Sequence, residues 1–124
     1  MIQAVRKILL VDDHLDTVNA MARLLHLTGF EVKTATTYQS ALQLCNEDAK
    51  YDLLISDVGL PDGSGYDLMR AVLDRRCATR GIAVSGYGSE TDVQQSLEAG
   101  FSAHLVKPVE FEALRDAILR LVPE

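Results

Sequence analysis

Five times along this chain a short apolar run is followed by a helical period, and no other feature constrains the fold as much. The runs are Lys7–Val11, Glu31–Ala35, Asp52–Ser56, Ile82–Ser85 and Ala103–Val106. Short apolar strands separated by helices are the pattern of a parallel sheet with crossover helices. The first helical period, about His14 to Thr28, puts Val18, Met21, Ala22 and Leu25 at i, i+3, i+4 and i+7, and Gly29 supplies its stop. The second runs from Tyr38 to Asp48. The third begins near Ser64, which has capping-box spacing to Asp67. Ser89 and Asp92 repeat that spacing at the fourth, which Gly100 ends, and the fifth turns Phe111, Leu114, Ile118 and Leu121 inward. Five βα units fill residues 1–124 with no linker or repeat, so one domain with a doubly wound α/β sheet is expected.

Composition narrows the function classes. A chain of 124 residues with 48% hydrophobic and 24% charged residues is an ordinary globular domain, not a disordered one. Its net charge of −6 argues against nucleic-acid binding, and the basic group Arg75, Arg76 and Arg80, without interleaved aromatics, reads as a solvated loop. No apolar run approaches the ~18 residues of a membrane span, and the N-terminus has no signal-peptide pattern. Cys45 and Cys77 make neither a disulfide framework nor a CxxC motif, so Cys45 reads as a small apolar helix residue and Cys77 as a loop residue. A reduced, cytoplasmic domain is the expectation.

In doubly wound sheets, ligands bind beyond the carboxyl ends of the strands. Strand one delivers Asp12 and Asp13 there, strand three Asp57, strand four Ser85 with Gly86, and strand five Lys107 with Pro108. Strand two offers only threonines. Three carboxylates against one lysine leave about −2, which one divalent cation cancels. Oxygen ligands without His or Cys at the edge favour Mg²⁺, which commonly joins carboxylates to a phosphate. Asp57 can then act as a carboxylate nucleophile toward phosphorus, with Lys107 neutralising and Ser85 hydrogen-bonding the phosphoryl oxygens. Each residue also has a plainer reading: Asp13 as an N-cap, Asp57 in an Asx-turn, Lys107 as a solvated strand end, Ser85 as a core hydroxyl. Four coincidences on one sheet edge are harder to credit than one site.

These residues carry a resemblance. The acidic pair Asp12-Asp13, the segment "DVGLPDGSG" with Pro61 four and Gly65 eight residues after Asp57, then Ser85-Gly86 and Lys107-Pro108, resemble the receiver domain of two-component response regulators over essentially the whole chain. The wording is most similar to receivers of hybrid sensor histidine kinases. The resemblance implies a flavodoxin-like (βα)5 fold, its five parallel strands in the order 2-1-3-4-5 with helices on both faces. It implies Asp57 as phosphoacceptor, and Asp12, Asp13, Asp57 and the carbonyl of Gly59 around Mg²⁺. It implies a cis peptide before Pro108 and a phosphohistidine donor on a sensor histidine kinase or phosphotransfer domain. The only catalysis expected is self-phosphorylation from such a donor and autodephosphorylation.

Two departures stand out. Gly59 occupies a position where the family often has methionine, which opens the pocket mouth. His104 occupies the family's switch position, usually Tyr or Phe, so its coupling to Ser85 is expected to be weak or pH-dependent. Phosphorylation is expected to move the loop "GYGSE" and switch the face of helix four, strand five and helix five. Partner docking is expected near His14, Leu15, Val18 and Val109, with His14 a surface contact rather than a metal ligand. Three rivals share parts of the pattern: an interaction-only pseudo-receiver, an aspartate-nucleophile phosphohydrolase, and a flavin carrier. The complete acceptor set argues against the first. The phosphohydrolase would want DxD at strand one, and "DDHLDTV" would repel a flavin phosphate. The chain stops after its last helix, as a stand-alone receiver or an excised piece would.

Overall fold

The computed structural model describes residues 6–45 and 50–122. Strands β1 (Lys7–Val11), β2 (Glu31–Ala35), β3 (Leu53–Asp57), β4 (Gly81–Ser85) and β5 (Ala103–Val106) alternate with helices α1 (Leu15–Leu27), α2 (Tyr38–Cys45), α3 (Gly65–Asp74), α4 (Glu90–Ala99) and α5 (Phe111–Leu121). All strand pairs of the main sheet are parallel, in the order β2-β1-β3-β4-β5. A two-residue ribbon, Gly59–Leu60 against Gly63–Ser64, folds back ahead of α3. The predicted extension of α2 to Asp48 lies outside the described residues.

Strand alternation sorts the core into two layers. Ile8 and Leu10 of β1 join Leu53, Ile55 and Ile82 beneath α1 and α5, where Val18, Leu25, Leu114 and Ile118 complete the layer. Leu9 and Val11 face the other way, with Leu54 and Ala83, against α2 and α3 through Ala41, Leu42, Leu68, Met69 and Val72. Strands covered on both faces must be apolar where they are covered, which is why Ile8–Val11 of β1 and Leu53–Ile55 of β3 are unbroken apolar runs.

Helix ends follow their local chemistry. At α4, Ser89 Oγ accepts the Asp92 N–H at 3.2 Å and the Asp92 carboxylate accepts the Ser89 N–H at 3.1 Å, closing the predicted box. At α3 only half forms: Ser64 Oγ accepts the Asp67 N–H, while the Asp67 carboxylate turns to Arg70 at 3.2 Å. Gly29, one residue past the end of α1, and Gly100, directly after α4, take φ of 106° and 109°, where a Cβ would be strained.

Two expectations are corrected. The third strand starts one residue later than predicted: Asp52 accepts the Lys7 N–H at 2.7 Å through its side chain, and Asp57 pairs with Val84 inside the ladder. The cysteines are joined as a disulfide, Cys45 to Cys77, with Cα atoms 5.7 Å apart and 32 residues between them in sequence. No motif announces this pair, because the sheet creates it. The end of α2 and the segment leading to β4 meet beside β3, where the Tyr51 N–H donates to the Cys77 carbonyl at 2.8 Å. When the pair is reduced, burial, aided by the Cys77 partner, pushes the Cys45 thiol up to about 12.

Candidate functional site

The carboxyl edge gathers the residues the sequence nominated. Asp12 and Asp57 are buried at 7% and 8% exposure, while Asp13 reaches solvent. The Lys107 ammonium lies 2.9 Å from Asp57 Oδ2 and 3.3 Å from Asp12 Oδ2, bridging strands one and three from the end of β5. The Lys107–Pro108 peptide is cis, as the resemblance implied, and the Lys107 N–H donates to the Ser85 carbonyl at 2.7 Å. Burial alone would lower the lysine pKa; the Asp57 hydrogen bond and the Asp12 and Asp57 charges outweigh it, and the pKa is raised.

The plainer readings fare differently. The N-cap of α1 is His14, not Asp13, and no side chain caps it. Lys107 is no solvated strand end. Asp57 does make an Asx-type contact, accepting the Gly59 N–H through Oδ1 at 3.3 Å, but its other oxygen is held by Lys107. Ser85 is buried, and its Oγ accepts the Tyr87 N–H at 3.1 Å. A hydroxyl serving there as acceptor keeps its own proton free for a further bond.

Ligand atoms of Asp12, Asp13, His14 and Asp57 lie within 4.8 Å of one another, a spacing that fits one metal ion. Three carboxylates suit a hard divalent cation with an oxygen shell. His14 was expected at the surface beside the acidic pair, as a partner contact or first helical residue, and its side chain is 68% exposed. Its Nδ1 also sits 3.1 Å from Asp12 Oδ1 and 3.2 Å from Asp13 Oδ1, and the His14 N–H donates to Asp12 at 2.9 Å.

Two glycines shape the pocket. A Cβ on Gly65 would stand 2.3 Å from the Asp57 carbonyl oxygen, so only glycine lets α3 start this close to β3. A Cβ on Gly59 would meet nothing within 4 Å, so a side chain there would have open space. Beside the acidic cluster, a mainly apolar groove of about 490 Å³ runs between α1 and the start of α5, lined by His14, Met21, Val84, Pro108 and Leu114 among others. Val18 is 1% exposed in its floor, so it is not the surface contact predicted, whereas Leu15 is 60% exposed.

His104 was expected to couple to Ser85 weakly or in a pH-dependent way. Its Nε2 lies 2.8 Å from the Tyr87 carbonyl oxygen and its Nδ1 2.6 Å from Ser96 Oγ, so it reaches Ser85 through Tyr87. Ser96 went unnoticed, because a single serine on a polar helix carries no sequence signal.

Comparison with known proteins agrees with this geometry. The profile described as "Response regulator receiver domain" matches residues 8–119. The sensor histidine kinase RcsC of Salmonella typhi is 31% identical over 90% of this chain, and the match takes up 12% of the kinase. Among the first curated relatives that share runs from 12% to 79%. The crystal structure of a CheY-like response regulator receiver domain protein from Methanospirillum hungatei is 31% identical, with a TM-score of 0.87 over 94% of this chain and 93% of that one. A response regulator protein from Burkholderia pseudomallei, crystallised with a phosphorylated aspartic acid, calcium ion and citrate, is 27% identical, with a TM-score of 0.82 over 90% of this chain and 65% of that one.

Proposed function

The chain belongs to the response regulator receiver domain family, and on that premise we propose that residues 1–124 act as one phosphoacceptor domain of a two-component phosphorelay, with Asp57 the acceptor. The observation that carries the reading is the Lys107 ammonium held between Asp57 at 2.9 Å and Asp12 at 3.3 Å at the end of the sheet. An ammonium fixed there neutralises charge on whatever phosphoryl group joins Asp57.

The step is an in-line displacement. An Asp57 oxygen forms a bond to phosphorus, the P–N bond of a donor phosphohistidine breaks, and the leaving imidazole takes up a proton. Lys107 balances the equatorial oxygens, and the Ser85 hydroxyl donates its free proton to one of them. Asp12, Asp13, Asp57 and the Gly59 carbonyl would hold Mg²⁺, whose bound charge lowers the repulsion between phosphoryl oxygens and carboxylates. The donor is a sensor histidine kinase or phosphotransfer domain, docking across exposed Leu15, the apolar groove and Val109. The output face is α4, β5 and α5. Among the described residues no helix is long and apolar enough to cross a membrane. We place the domain in the cytoplasm, with its phosphodonor.

Intact mass spectrometry after incubation with Mg²⁺ and acetyl phosphate tests the reading, with Asp57→Asn and a chelator as controls. One added phosphoryl group, missing in both controls, is expected. No adduct at times short enough to outrun hydrolysis would make the chain an interaction module only.

A further inference from the structure

We propose that His14 is a nitrogen ligand to the cation of the acidic pocket, and that it makes the pocket favour a borderline transition dication such as Zn²⁺ over Mg²⁺. The inference rests on the acceptor reading above and adds to it a donor of a different chemical kind. A largely exposed histidine could face any way, and this one faces the pocket. Its Nδ1 lies 3.1 Å from Asp12 Oδ1 and 3.2 Å from Asp13 Oδ1, and a ring nitrogen joins oxygens of Asp12, Asp13 and Asp57 in a group whose members all lie within 4.8 Å of one another. Donors on opposite sides of one ion stand about 4 Å apart when each bond is about 2.1 Å, so a slight closure completes the set.

The backbone holds the ring in place. The His14 N–H donates to Asp12 Oδ1 at 2.9 Å, and the His14 carbonyl accepts the Val18 N–H at 2.9 Å at the start of α1. Residue 14 is therefore fixed on both sides of its Cα, while its exposed side chain meets little packing that would resist a small turn. Lys107 does not compete for these positions. Its ammonium takes Asp12 Oδ2 and Asp57 Oδ2, which leaves Asp12 Oδ1 to the ring and Asp57 Oδ1 to the Gly59 N–H at 3.3 Å, a long bond that a cation can replace. The ring can serve both states. An ionised carboxylate only accepts, so without a cation Nδ1 carries the hydrogen; with one, the Nδ1 lone pair faces the metal and the hydrogen sits on Nε2. Solvent reaches this side chain and carries the exchange, and a neutral ring gains or loses no net proton. Magnesium gives up water reluctantly and takes oxygen ligands, whereas imidazole suits zinc, nickel and copper. His14 thus adds affinity for a transition ion and none for Mg²⁺.

Calorimetric titration of the untagged full chain with Zn²⁺ and with Mg²⁺, at one fixed pH, tests the ligand. Even partners one shell out from a metal are worth about 10–100-fold in its affinity, so His14→Ala is expected to weaken Zn²⁺ by at least about tenfold and to leave Mg²⁺ unchanged. His14→Gln, which keeps a polar side chain but has no ring nitrogen, should behave as His14→Ala does. Long-range ¹H–¹⁵N spectra give a readout that a merely electrostatic histidine would not: Zn²⁺ is expected to shift the Nδ1 signal of His14 and to leave the rings of His26 and His104 unmoved. Equal Zn²⁺ affinity in the native and His14→Ala chains, or a His14 ring unmoved at saturating Zn²⁺, overturns the ligand; if Asp57→Asn still weakens Mg²⁺, the acceptor reading stands. If Asp13→Asn and Asp57→Asn leave the affinities for both ions unchanged, the cation site falls, and the acceptor reading with it.

Discussion

Two sets of carboxylates in this molecule satisfy their charge in opposite ways. Asp62 and Asp92 are met locally by neutral donors. Asp62 accepts the Tyr38 N–H at 2.7 Å and the Gln39 N–H at 3.1 Å, so a loop residue caps α2 from across the ribbon; Asp92 accepts from both the backbone and the hydroxyl of Ser89. Asp12, Asp13 and Asp57 instead crowd together around the single ammonium of Lys107, with the His14 ring beside two of them. A capping carboxylate has donors enough for its charge. The edge carboxylates have more charge than fixed cations, which costs stability and leaves room for a cation and a phosphoryl group. The contrast separates an acid kept for the fold from an acid kept for chemistry.

The largest expected effect comes from the backbone that sets the edge geometry. Gly65→Ala drives a methyl group into the Asp57 carbonyl and should cost about 3 kcal/mol in urea unfolding. A near-neutral result would mean that charge, not close packing, positions Asp57. Next in size is the cation. At a hundredfold excess over its Kd, Mg²⁺ should stabilise the chain by about 2.7 kcal/mol, and by less in Asp13→Asn or Asp57→Asn. Equal stabilisation in those variants would place the cation elsewhere and end the contrast.

Opposite signs sharpen it further. Asp57→Asn removes one of three crowded charges and should raise stability by on the order of 1 kcal/mol without cation. Asp62→Ala removes a cap and should lower the urea midpoint. If both variants destabilise, the edge carboxylates belong with the structural ones.

The sheet and its edge were legible because their signals are local in sequence. Apolar runs such as Ile8–Val11 mark strands whose carboxyl ends must lie at one edge, so Asp12, Asp57, Ser85 and Lys107 fall together on sequence grounds alone. Residues that act across elements were not legible. Asp62 reads as a turn residue, yet its partners are 24 and 23 positions earlier. The Cys45–Cys77 link and the Ser96–His104 bond depend on how helices seat against the sheet, which periodicity does not resolve; the burial of Val18 follows from its place on the apolar stripe of α1, against the docking role expected of it. The one-residue shift of β3 has the same origin: the ladder with Val84, not apolarity, decides where the strand ends.

The smallest expected effect is in the pH profile, and it distinguishes the two sets by which limb they shape. Hydrogen bonds from Ser89 hold the Asp92 pKa below the ordinary carboxylate value, and the Tyr38 N–H leads the causes that do the same for Asp62. A depressed folded-state value means that the unfolded chain takes up the proton first. Their contribution is therefore present above about pH 4, the unfolded value, and is lost as pH falls through the folded-state values. Lys107 has the reverse sign. Its raised value means a contribution present below about pH 10.4 and lost as pH rises through the folded-state value. Urea midpoints followed against pH should thus show a shallower acid limb in Asp62→Asn and Asp92→Asn, and a shallower alkaline limb in Lys107→Met. An alkaline limb unchanged by Lys107→Met would show that the ammonium gains nothing from its two carboxylates, and that the edge charges are balanced by solvent alone.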